Sequence, residues 1–219
     1  MWALPGQSLS EALADVDQAL SFEPAHVSHY HLTIEPNTVF AARPPSLPDE
    51  DTAWDMQDAC AVKLNQAGYQ QYEVSAWSRP GAMSRHNLNY WRYGDYIGIG
   101  AGAHGKITLP AEQQILRTRR KSHPRPYLNA LSDGSFIAEE TRVADEDRIF
   151  EFFLNRLRLD QPFSIEEFTQ RTGLDATVIA SRLDQAVELE LIRHEDAKYQ
   201  VSSLGRRYLN DLQALFLPG

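Results

Sequence analysis

Two helical faces, each set between strand-like runs, constrain this chain more than any other feature. Leu9, Ala12, Leu13, Val16 and Leu20 recur at the spacing of one helix face, and Ser8 with Glu11 forms a capping box at its start. Glu23-Pro24 ends that helix near Ser21, and residues 27–34 are rich in β-branched and aromatic side chains, which predicts a strand. A loop over residues 37–48, broken by three prolines, follows. The pattern then returns. Ala53, Met56, Cys60, Leu64 and Ala67 share a face, Gly68 stands where a helix stop belongs, and residues 69–76 alternate as a strand does. A third strand is predicted over residues 95–99, running into a glycine cluster that ends at Gly105. Strands and helices in alternation imply an α/β fold with a parallel sheet, in which ligands sit at the carboxyl ends of the strands. At the other extreme, residues 2–6 read as a strand end entering a Pro-Gly turn, an unusual place for a chain to begin.

The pattern changes after Asp133-Gly134. A helix is expected over residues 145–159, then a capping box of Ser164 and Glu167, a Gly173 stop and a helix over residues 176–190. Residues 191–195 and 198–201 flank Asp196-Ala197 as a hairpin, and Ser203 can cap a last helix reaching Phe216. Helix, helix, hairpin, helix resembles a winged-helix module. Two domains are therefore expected, residues 1–134 and 135–219.

Composition narrows the function classes. With 30 acidic against 21 basic residues and a net charge of −9, the chain is repelled by phosphate backbones and anionic lipid. The would-be recognition helix carries Arg182 against Asp175, Asp184, Glu188 and Glu190, a net −3, so no nucleic-acid partner is expected. Any membrane contact is at most peripheral, and a cytoplasmic location is expected. Cys60 is the one cysteine, which excludes an internal disulfide and an all-cysteine metal or iron–sulfur site within this chain.

Four clusters could carry chemistry. Gly100, Gly102 and Gly105 spell a dinucleotide-like motif, but no helix follows it, so either close strand packing or close approach to a ligand accounts for the glycines. His26, His29 and His31 lie along one predicted strand; lacking a paired carboxylate on their face, they read as hydrogen-bonded residues rather than a metal site. Arg117, Arg119, Arg120, Lys121, His123 and Arg125 form a basic run suited either to a carboxylate ligand or, the favoured reading, to a solvated edge strand. The segment from Arg85 to Trp91 is the richest, with one imidazole, two carboxamides and two large aromatic rings in what reads as a loop. A neutral imidazole can ligate iron and aromatic rings can cover a macrocycle; plain packing with a satisfied histidine is the equal alternative.

A family resemblance joins these pieces. Leu4-Pro5-Gly6-Gln7, Leu32-Thr33-Ile34-Glu35-Pro36-Asn37-Thr38, Gln71-Tyr72-Glu73-Val74-Ser75, His86-Asn87-Leu88-Asn89-Tyr90-Trp91, Gly94-Asp95-Tyr96-Ile97-Gly98-Ile99-Gly100 and Ala103-His104-Gly105 together resemble the radical SAM haem chaperones of the HemW type. These are relatives of oxygen-independent coproporphyrinogen III oxidase. The likeness runs along essentially the whole chain.

The resemblance implies the C-terminal part of a partial TIM-like radical SAM barrel, followed by a small helical winged-helix-like domain. It implies haem as ligand, with apo-haem proteins as recipients, and S-adenosylmethionine and a 4Fe-4S cluster in the full-length protein. The cluster cysteines belong to a portion this chain does not contain, so the chain is expected to perform no radical chemistry alone. The family's haem-associated motif falls on His86, Asn87, Tyr90 and Trp91, with His86 the implied axial metal ligand. Contacts to S-adenosylmethionine fall near Thr33 and His104, where the related oxidase has other residue types. Many relatives place a cysteine where Ser84 stands here, so any thiolate contribution there is lost. An open barrel also implies self-association through bare strand edges. Two functions remain: haem binding and transfer, or oxidative decarboxylation of coproporphyrinogen propionates.

Overall fold

The computed structural model describes residues 1–218 and divides the chain into two compact units, Met1–Ser84 and Arg85–Gly219. The composition change at Asp133-Gly134 lies inside the second unit.

In the first unit, α1 (Leu9–Leu20) starts at Ser8, whose side chain accepts from the Glu11 N–H while Glu11 returns the bond, as the capping box predicts. The strand β1 (His26–Ser28), the short helix α2 (Val39–Ala42) and the long helix α3 (Glu50–Gln66) follow, then β2 (Gln70–Glu73) and β3 (Ala76–Ser78). Ala12 and Val16 of α1 meet Met56, Cys60 and Leu64 of α3 in one apolar cluster that also holds Trp2, Tyr69 and Trp77. This burial, rather than helix propensity, holds α1 and α3 in place.

The strands of this unit depart from the expected pattern. Residues 69–76 do not form one strand: the chain reverses at Val74-Ser75, and β2 pairs antiparallel with β3. The sheet order is β1-β3-β2 with both pairings antiparallel, and parallel pairing appears at the single bridge Trp2–His31. The predicted strand over residues 27–34 is shortened for the same reason. Its start pairs with β3, whereas Tyr30 and Leu32 turn to the other neighbour through bonds with Trp2.

The second unit opens with α4 (Arg85–Trp91). Next come β4 (His104–Leu109), β5 (Gln114–Arg120), α5 (Pro124–Asn129) and β6 (Ile137–Arg142), then α6 (Asp145–Arg156) and α7 (Ile165–Thr172). The chain ends in α8 (Ala180–Glu188), β7 (Ile192–Glu195), β8 (Lys198–Val201), α9 (Ser203–Arg207) and α10 (Leu209–Ala214). The three-stranded sheet β4-β5-β6 is antiparallel, and a core of Phe152, Phe153, Phe163, Phe168 and Phe216 lies under the helices that follow it.

Several expectations change here. The strand predicted over residues 95–99 reduces to a bridge, Tyr96 with Lys106, because the glycine cluster folds straight back into β4. Close packing explains Gly98 and Gly105, where a Cβ would overlap the carbonyl of His104 and press against Thr118 Oγ1, whereas Gly100 and Gly102 are not pressed and take φ of 109° and 74°. The basic run is no edge strand; β5 lies between β4 and β6, and Arg119 is paired with Glu139 across it.

The winged-helix order appears as read, with finer breaks. Ser164 caps α7, Gly173 ends it in the left-handed region, and a 3-10 turn (Ala176–Ile179) precedes α8. Ser202 rather than Ser203 caps α9, and the last helix is interrupted at Tyr208.

Candidate haem site on helix α4

The segment expected as a loop is a helix, and that changes what its residues do together. No glycine, proline or β-branched residue interrupts Arg85–Trp91, so nothing opposes helical backbone there, and Tyr93, with φ of 54°, marks the chain's departure from it. At 3.6 residues per turn, His86 lies above Tyr90 and Asn87 above Trp91, which gives two adjoining stripes. The ring centroids of His86 and Tyr90 are 4.8 Å apart. Tyr90 rests in turn on Tyr96, at 4.7 Å.

His86 is exposed, and no described residue bonds to its ring nitrogens. Its lone pair is therefore available to a metal, which is the property a haem iron requires. Asn87, Tyr90 and Trp91 are half-buried. The Arg158 guanidinium lies 4.4 Å over the Trp91 ring, while the indole N–H is buried without an acceptor among the described residues. Trp91 thus points into the unit and anchors the helix, leaving the His86 and Tyr90 stripe outward.

Behind Tyr90 stands a polar brace, of which the sequence pattern singles out only Arg117, as a member of the basic run. Arg117 donates to Tyr96 Oη at 2.6 Å and to Glu151 at 2.6 Å, and Glu151 accepts from Tyr93 Oη at 2.7 Å. Burial, then the neighbouring Glu151 charge, pushes the Tyr93 phenol well above its ordinary range, so it stays a donor. Lys106 is 1% exposed and donates to the Tyr93 carbonyl and to Asp95, each at 3.0 Å, with its ammonium 3.9 Å from the Tyr93 ring. Burial lowers its pKa, and Asp95 opposes that. These bonds fasten the chain just beyond α4. A lysine placed between a glycine and an isoleucine in a strand gives no sign in the sequence of being buried.

Asp95 makes the brace sensitive to acid. Burial pushes its carboxyl up, but bonds from Thr108 and Lys106 outweigh burial and hold it below 3.8. Because the folded chain binds this proton less readily than the unfolded one, the stabilisation is present above the unfolded value and disappears as pH falls through the folded value. Asp95→Asn will therefore flatten the acid limb of the stability profile while lowering stability at neutral pH. Thermal melts between pH 3 and 7 check this; an unchanged acid limb would contradict it.

The other predicted residues lie elsewhere. His104 is exposed at the start of β4, opposite Arg119, and Thr33 is exposed in the first unit. Of the three histidines expected to be hydrogen-bonded, His26 bonds Tyr72 Oη at 2.8 Å, whereas His31 stacks on Trp2 at 4.4 Å and the buried His29 Nε2 has no hydrogen-bond partner among the described residues. Burial pushes His29 down to about 4. Among the described residues no group of three or more His, Cys, Asp and Glu side chains could hold a metal ion. Cys60 is buried and its thiol is pushed upward by burial, the opposite of what a cluster-binding thiolate needs. The residues present do not fit an iron–sulfur cluster.

Residues 143–208 match the family model described as the HemN C-terminal domain. The fold matches that of a solved structure, "Coproporphyrinogen III oxidase (HemN) from Escherichia coli is a Radical SAM enzyme", with a TM-score of 0.73 over 98% of this chain and 53% of that one, at 17% identity. Over 217 residues, 99% of this chain, the Escherichia coli heme chaperone HemW is 47% identical and that of Haemophilus influenzae 46%. The chain is a homologue of the HemW heme chaperones. The HemW of Bacillus subtilis is 30% identical over 99% of this chain. The chain spans 55–57% of the length of these three HemW relatives. Among the described residues, no helix is long and apolar enough to cross a membrane.

Proposed function

We propose that this chain contributes the haem-holding helix of a haem-binding and haem-transfer protein, with His86 as axial ligand. The observation that carries the reading is an outward imidazole, its nitrogens unclaimed by described residues, supported from below by Tyr90 and Tyr96. Bound haem would supply an iron centre open to a nitrogen ligand. Tyr90 orients the imidazole, and the brace through Arg117 and Glu151 keeps Tyr96, and with it Tyr90, in place. Trp91, under the Arg158 guanidinium, fixes the helix, and Asn87 on the same stripe completes the proposed haem-binding set. The relatives are heme chaperones, which supports haem as the ligand.

The complete reading assigns S-adenosylmethionine and a 4Fe-4S cluster to the full-length protein, with Thr33 and His104 as the positions of this chain nearest S-adenosylmethionine. Apo-haem proteins are the proposed recipients and the cytoplasm the proposed setting, consistent with one buried, unpaired cysteine. Self-association belongs to the same proposal. All six residues of β6 are exposed on the outer strand of its sheet, although Glu139, Glu140 and Arg142 are charged, which limits edge pairing. Coproporphyrinogen oxidation has the fold likeness alone behind it.

Titration of haem into the chain, followed by absorbance, tests the reading. His86→Ala will weaken binding by about ten-fold or more, at least the scale seen when an outer-shell partner of a metal ligand is lost. Equal affinity and an identical spectrum in the variant would remove His86 as ligand.

A further inference from the structure

We propose that a cavity of about 210 Å3, lined by Arg85, Leu88, Asn89, Arg92 and Arg171, is a binding site for a small ligand bearing carboxylate or phosphate groups. Arg85 opens α4 and Arg92 directly follows its end, about two turns on, with Leu88 and Asn89 between them, and Arg171 enters from the last turn of α7. Eighty residues of sequence separate α4 from Arg171, so their meeting is a product of the fold rather than of a local basic run.

The charges in this cavity are unbalanced. No acidic residue lines it, although the chain carries 30 acids and a net charge of −9. Arg85 and Arg171 have no carboxylate partner among the described residues. Arg92 donates to Gln161 Oε1 at 2.7 Å, which fixes its guanidinium through one nitrogen and leaves further N–H groups free to face the cavity. Guanidinium groups held together repel one another, and an oxyanion relieves that repulsion while accepting paired hydrogen bonds from the planar forks. The volume of about 210 Å3 suits a small anion such as pyrophosphate or a pair of carboxylates rather than a large aromatic ligand.

Two sources share this chemistry: a free phosphate-type anion, or the carboxylates of a tetrapyrrole whose iron is held at His86, on the neighbouring stripe of the same helix. The second source rests on the haem reading; the first does not. Calorimetric titration of the chain with inorganic pyrophosphate, at about 0.15 M ionic strength to screen exposed charges, addresses the first. Absorbance titration with haem and with haem dimethyl ester addresses the second.

The variant for both is Arg85→Gln combined with Arg171→Gln, with the thermal melt as control for folding. Saturable pyrophosphate binding, weakened about ten-fold or more in the double variant, establishes the site with a free anion as ligand. A similar loss for haem, with none for the ester, establishes it with tetrapyrrole carboxylates as ligand. If neither pyrophosphate affinity nor the difference between haem and its ester responds to the double variant, the proposal is overturned. A chain that binds no haem leaves the pyrophosphate titration to decide alone, so failure of the haem reading is seen separately.

Discussion

Truncation of Phe153 to alanine will lower the unfolding free energy of the second unit by about 3–5 kcal/mol, the range for removing a large buried aromatic side chain. Phe153 is fully buried on α6 and stacks on Phe216 with centroids 3.7 Å apart and rings inclined by 17°. Phe152 meets it edge-on at 5.2 Å, while Phe163 and Phe168 lie at 5.9 Å. Five aromatic rings from four separate stretches of the chain therefore converge, and alanine would leave a cavity that none of them can fill without breaking another contact. The same helix carries Glu151, so loosening it also slackens the brace behind Tyr90. Urea unfolding monitored by tryptophan fluorescence measures the loss. A change below about 1 kcal/mol, the scale of surface substitutions, would contradict the packing described.

Arg156→Ala will destabilise the same unit by about 3 kcal/mol, the lower end for breaking a buried ion pair. Its side chain is 2% exposed, donates to Glu167 at 2.9 Å, and satisfies the carbonyls of Gln161 and Pro162 at 3.0 and 2.8 Å. Removing the guanidinium strands two carbonyl groups and one carboxylate. The lower end applies because the Glu167 side chain keeps 26% of its exposure and remains partly hydrated. The fork joins α6 to the start of α7, so the winged-helix module is the part that should loosen first. Hydrogen exchange resolves this: protection in α7 should fall more than protection in β4 and β5. Uniform loss, or none, would count against the fork as the fastener.

Much of the helical framework was legible in the sequence because capping boxes and apolar faces are local signals. Ser8, Ser164 and Gly173 perform the roles their positions predict. The strands were less legible. Val74-Ser75 reverses the chain without glycine, asparagine or proline, so one expected strand became a hairpin and the local sheet became antiparallel. The segment from Arg85 to Trp91 read as a loop because its clustered polar and aromatic residues suggested a surface excursion, yet nothing in it resists helix formation. His86, Asn87, Tyr90 and Trp91 were visible by resemblance. Lys106 and Glu151, which hold the segment's surroundings, were not, and Arg117 stood out only as a member of the basic run. Their importance comes from pairings 11 to 58 residues apart in sequence, which no local pattern encodes.

In the proposed haem complex, iron is held by the imidazole of His86. Pulsed EPR of the chain loaded with ferric haem, prepared with 15N-labelled and with unlabelled histidine, reads the axial nitrogen directly through its hyperfine coupling. The expected result is an axial nitrogen signal that changes with the isotope and disappears in His86→Ala. An isotope-independent spectrum, or one that persists unchanged in His86→Ala, would show that haem is held by something else.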